Sequence, residues 1–117
     1  MADSIFKQMG SVVSAALDAK TDVVTTETKT NSFTAESNYR YLIDTTGGSV
    51  TATLPATPTQ NDIIEFVDLK GNFENNNLVL GRNGEKIMRL SEDMTVSQSN
   101  FAFKLIFSGS TDGWIVI

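Results

Sequence analysis

The chain has 117 residues, no cysteine, no histidine and a formal net charge of −5 at pH 7. That length is one domain with room for a core of its own. The missing residues exclude a disulfide framework, thiol chemistry, the usual nucleophilic triads and most zinc sites. The nine Lys and Arg are scattered without a basic run, which argues against a nucleic-acid interface. No apolar stretch reaches the length of a membrane span, and Asp3, Lys7 and Gln8 spoil a signal-peptide pattern. The expectation is a soluble protein, intracellular at least when it is made.

Residues 1–20 predict a helix. Ala2, Ile5, Met9, Val12, Ala16 and Ala19 follow one another at alternating gaps of three and four, and Phe6 and Val13 widen that seam. Asp3 or Ser4 can cap the start by accepting a bond from an orphan N–H, while Gly10 weakens the middle by about 1 kcal/mol relative to alanine. The seam is too short for stable self-association alone, so the helix needs the rest of the domain, a partner, or both. It reads as a coiled-coil-type element for oligomerisation or anchoring, with packing on its own domain as the alternative. The interface residues would be Ile5, Phe6, Met9, Val12, Val13 and Ala16.

Residues 21–37, TDVVTTETKTNSFTAES, are rich in threonine and poor in helix formers. They predict an extended connector, with an edge strand over 23–29. From Asn38 onward short strands alternate with turns. NYRYLID and SVTATLP carry period-two alternation, with Val50, Ala52 and Leu54 on one face of the second. PATPTQND holds both prolines and reads as a loop. IIEFVDL is nearly continuously apolar and predicts a central strand. NLVLGRNGEKIM predicts a hairpin about Asn83–Gly84, because both positions of a type I′ turn require positive φ. MTVSQ is short, and FAFKLIFSGSTDGWIVI supplies two last strands about a glycine-containing turn. The expectation for 38–117 is an antiparallel β-sandwich or small barrel, jelly-roll-like, with Ile43, Val50, Leu54, Ile64, Phe66, Leu105 and Trp114 in its core.

Four clusters could carry chemistry. DLKGNFENNN, residues 68–77, is oxygen-rich enough for a calcium loop but matches no EF-hand spacing, and asparagine-rich turns need no metal. Asp62, Glu65 and Asp68 could form an acid/base set, yet strand alternation puts Glu65 on the face opposite the other two. GRNG, residues 81–84, lacks the Lys-Ser/Thr end of a phosphate-binding loop. Tyr39, Tyr41 and Trp114 could stack on sugars, although aromatic residues at strand positions usually pack. No catalytic residue, metal ligand or cofactor site is expected.

Three segments in order, DTTGGSVTATLPATP, then DIIEFVDLKGNFENNNLVLGRNGEKI, then LIFSGSTDGW, follow the pattern D-T…G-x-V-T-x-T-L-P-x-x-P, D-x-I-x-F-V-D…G-x-F…N-N-L-x-L…N-G-x-x-I, and L-x-x-S-G-S-T-x-G-W. They cover 44–58, 62–87 and 105–114, and they resemble a β module found in bacteriophage tail fibres, tailspikes and related virion proteins. The opening FKQMG…LDAKTD is also similar to the start of many phage fibre-like chains. The resemblance implies a homotrimeric, non-enzymatic virion component, made in the host bacterial cytoplasm, that meets other virion proteins of tail, collar or capsid. A short chain with a helix at one end suits a collar, baseplate or capsid-attached fibre or decoration, or the first part of a longer fibre. A carbohydrate-binding adhesin that contacts a host surface glycan through Tyr39, Tyr41 or Trp114 is the alternative.

Overall fold

A computed structural model describes residues 25–117 of the chain. The six residues of the expected N-terminal interface, Ile5, Phe6, Met9, Val12, Val13 and Ala16, lie outside the described residues, as does the whole predicted helix.

Among the described residues nine strands form two sheets. β1 (Thr25–Lys29), β3 (Tyr39–Ile43), β5 (Ile63–Asp68), β8 (Ala102–Phe107) and β9 (Trp114–Val116) make one sheet in the order β1-β3-β5-β8-β9. β2 (Phe33–Thr34), β4 (Val50–Thr53), β6 (Leu78–Gly81) and β7 (Met94–Val96) make the other, in the order β2-β4-β6-β7. Until β6 the chain changes sheet at every step, so each out-and-back passage is one coil laid on the last. Coils stacked this way pair in parallel: β1 with β3, β3 with β5, β2 with β4, and β4 with β6. The three last strands run antiparallel, β7 on β6, β8 on β5 and β9 on β8.

This all-β, two-sheet architecture corrects three of the expectations. The strands are not uniformly antiparallel, and neither sheet closes into a barrel. Nor is the order that of a jelly roll, whose sheet neighbours run antiparallel, because β1, β3 and β5, and likewise β2, β4 and β6, pair in parallel. The physical reason is that alternation fixes which face of a strand is buried and carries no information about partner direction. Direction is set by the connections, which here cross between sheets. Residues 82–90 depart from expectation in the same way. The turn forms, with Asn83 and Gly84 at φ of 51° and 99°, but β6 pairs with β7 and not with the chain that follows the turn. That chain crosses to the other sheet, where Ile87 bridges to Trp114.

The core lies between the sheets. Ile43, Val50, Leu54, Ile64, Phe66, Leu105 and Trp114 are all fully buried, as their alternation predicts. β5 is the middle strand of its sheet, and its burial alternates along its length, with Ile64, Phe66 and Asp68 turned inward. Three register partners, Tyr41, Phe66 and Phe103, form an aromatic row across β3, β5 and β8, with centroid separations of 6.0 and 5.6 Å. Phe33 of the opposite sheet closes on Tyr41 at 4.7 Å, so one aromatic cluster ties the two layers together. Offset aromatic pairs of this kind add to the stabilisation from area burial alone.

Candidate functional site

Asp62, Glu65 and Asp68 do not converge. Asp62 stands just before β5, where Oδ2 accepts the Ser37 hydroxyl and the Thr59 N–H, both at 2.8 Å. Glu65 faces away from the core, as alternation requires, and its Oε1 takes the Arg40 Nε at 2.8 Å from the neighbouring strand. Asp68 is at the far end of β5, ~20 Å along the strand from Asp62 at the usual rise per residue. No bond can lie between two of these carboxylates, which rules them out as an acid/base pair.

Asp68 is the organising residue of the 68–77 loop. It is buried, with 7% of its surface exposed. Its Oδ1 accepts the N–H of Asn72 at 3.1 Å, and its Oδ2 accepts those of Phe73 at 3.2 Å and Asn100 at 2.9 Å. Around it, Asn72 and Asn76 donate their amides to the carbonyl of fully buried Thr45, at 3.1 and 2.8 Å. Asn75 donates to Asn72 Oδ1 and Asn77 to the Phe73 carbonyl. The asparagines serve as side-chain extensions of the backbone ladder. They fasten the loop after β5 to the turn after β3, one coil below. A carboxylate already accepting three N–H groups is a poor cation ligand, and among the described residues no three His, Cys, Asp or Glu side chains gather as a metal site. Four other asparagines, Asn38, Asn61, Asn83 and Asn100, occupy left-handed backbone at φ between 51° and 78°, which is where that side chain is tolerated.

Of the three aromatic residues proposed for sugar stacking, two offer no free face. Trp114 is fully buried against Phe107, at 5.2 Å between centroids, and Tyr41 is 1% exposed. The Tyr41 hydroxyl accepts the Glu36 N–H at 2.8 Å, and burial pushes its pKa up to about 12. Tyr39 is half-buried and stacked on Tyr41. The indole N–H of Trp114 is buried without a partner.

Sequence reasoning did not find a small apolar recess of about 220 Å³ between Ile87, Met88, Leu90 and Met94, with Glu92 and Asp93 at its rim. Its wall is a tight turn in which Ile87 and Leu90 exchange both backbone bonds and the two middle residues, Met88 and Arg89, take φ of 50° and 69°. Asparagine and glycine usually fill such positions, so Met-Arg gave no signal in the sequence. The turn is held by the rest of the fold: Met88 N–H donates to the Trp114 carbonyl, Arg89 N–H to that of Asp112, and Val116 N–H to Met88 Sδ. It fastens the last strand of one sheet to the chain leaving the other.

The described residues thus present a scaffold whose polar side chains are largely spent on its own turns. Compared with known proteins, the chain matches no family model and no curated protein.

Proposed function

We propose that this chain is a non-enzymatic structural protein of a bacteriophage particle: a short fibre-like attachment or decoration protein, working as a homotrimer in contact with tail, collar or capsid proteins. The observation that carries the reading is how the polar residues of the resembling segments are used. Asp62, Asp68, Asn72, Asn76 and Asn83 bind partners far along the chain and so hold one coil to another, while Asp44 closes its own turn onto Thr46. That is the economy of a rigid building block, and no described cleft gathers groups for a reaction. The three-copy contact would come from Ile5, Phe6, Met9, Val12, Val13 and Ala16. The buried positions of Tyr41 and Trp114 leave Tyr39 and the loops for any contact with a host glycan, which makes the adhesin reading the weaker one.

The test is to raise antibody against the purified chain and image labelled phage particles by electron microscopy, alongside the sedimentation mass of the free protein. Label at one repeated place on the particle, with a free species whose copy number is a multiple of three, is the expected result. Unlabelled particles, or cleavage of a polysaccharide by the purified chain, would overturn it.

A further inference from the structure

The two ends of the coil stack are finished differently. At one end, β5 and β6 are covered by antiparallel strands β8, β9 and β7. At the other, β1 and β2 carry no further strand among the described residues. Among the described residues four strands are therefore edges, and three of them are protected by being only two or three residues long. β1 is the exception, with five residues, Thr25 to Thr28 all exposed.

The backbone of β1 shows what it offers. The Lys29 carbonyl accepts the Asp44 N–H at 2.9 Å, so Lys29 directs its backbone polar groups at β3. By alternation Glu27 and Thr25 do the same, and Thr26 and Thr28 direct their N–H and C=O groups to the open edge. In an antiparallel pair, residues with outward groups face each other and exchange both bonds. A two-fold axis at Thr28 meets that condition. It sets Thr28 opposite its own copy, and Glu27 opposite Lys29 in both directions. An axis at Glu27 would instead oppose two carboxylates. Glu27 and Lys29 stand on the same side of the strand, with Nζ and Oε1 3.1 Å apart, in position to trade partners across such an axis. A lone lysine on an edge repels all comers, whereas adjacent opposite charges reject most registers and favour one.

We infer that β1 is a docking edge for a second copy of this chain, paired antiparallel about Thr28 with Glu27 and Lys29 exchanged, so that two five-stranded sheets become one of ten strands. This contact is two-fold and separate from the proposed three-copy contact, and it does not depend on the virion reading.

The experiment is sedimentation velocity with light scattering on the full chain. The wild type should hold an even number of copies. Thr28→Pro removes an outward N–H and no bond to β3, so the mass should halve while the far-ultraviolet circular dichroism stays the same. Glu27→Lys sets like charges opposite twice and should also halve the mass, raising the dissociation constant on the order of tenfold. The double variant E27K/K29E should restore it. An odd copy number in the wild type, unchanged mass in T28P and E27K, or no restoration in the double variant would overturn the inference. The species left after T28P reads the other contact independently: a trimer supports the N-terminal seam, and a monomer tells against it.

Discussion

Gly113 stands so close to Lys86 that a β-carbon on it would collide with the Lys86 carbonyl, the same oxygen that accepts the Trp114 N–H at 2.8 Å. The glycine lets the last strand press against the chain that has crossed from the other sheet, and its φ of 79° is one that side chains avoid. We predict that Gly113→Ala costs roughly 3 kcal/mol or more, because backbone strain and a clash with immovable backbone combine. Gly84 is the control. Its φ is 99° but a β-carbon there meets open space, so Gly84→Ala should cost only about 1–2 kcal/mol. Urea unfolding of the two variants checks this, and equal losses would refute it.

Phe66 holds the middle of the aromatic row, between Tyr41 and Phe103. Phe66→Ala should lose about 3–5 kcal/mol, from burial and from the cavity left at a site where both neighbours are fixed by strand register. Phe66→Leu, which keeps most of the volume, should lose less than half of that. If chemical denaturation shows both variants equally impaired, packing volume is not what the row contributes.

Asp68→Ala would leave three backbone N–H groups without their acceptor, two of them in the loop and one at Asn100. The expected loss is roughly 3 kcal/mol or more, since orphaned buried donors cost more than a bond is worth. Asp68→Asn keeps one acceptor oxygen and should fall between wild type and alanine. The same order should appear in hydrogen exchange at Asn72, Phe73 and Asn100, and unchanged protection there would rule the carboxylate out as the organiser.

Alkaline stability should depend on Tyr41. Burial raises its pKa from 10.0 to about 12, so the folded chain keeps a proton that the unfolded chain gives up. Between those values the unfolded state binds fewer protons, and stability falls as pH rises. It is unaffected by this residue below pH 10 and reaches its full loss above pH 12. Thermal midpoints recorded from pH 8 to 12 should drop more steeply for wild type than for Tyr41→Phe. Parallel curves would dismiss the tyrosine as the cause.

How much of this was readable from the residues depends on what each signal measures. The alternation of Val50, Ala52 and Leu54 reports burial, and it placed those side chains correctly. The apolar run at Ile63–Asp68 marked a central strand, and β5 is the middle strand of its sheet, although its burial alternates and only Ile64, Phe66 and Asp68 turn inward. Neither measures direction, so the parallel pairing of Arg40 with Glu65 and of Val50 with Leu78, partners far apart in the chain, stayed hidden. The part of Asp68 was hidden too. A carboxylate among asparagines looks the same in sequence whether it binds an ion or three amides, and only its burial at the end of an inward-facing register separates the two. The edge strand expected over 23–29 is present as β1, Thr25–Lys29, while its first two residues lie outside the described ones.

The strand order also decides how the domain would bear a load. β1 and β9 are the opposite edges of one sheet, and both run in the direction of β5. Through the register, Thr26 lies level with Glu65 of β5 and Val116 with Ile64, so Thr25 and Ile117 sit almost straight across the sheet from each other. Lys29 lies level with Asp68 and Trp114 falls just before Ile63, so those two are ~20 Å apart along the strands. A pull between Lys29 and Trp114 would slide strands lengthwise past one another and stretch their hydrogen bonds together, instead of peeling them one at a time. Drawn from those two points in a force spectrometer, the domain should yield in a single high-force step. Drawn across the sheet, from Thr25 and Ile117, it should open at lower force. Equal yield forces in the two directions would show that strand direction gives this fold no mechanical grain.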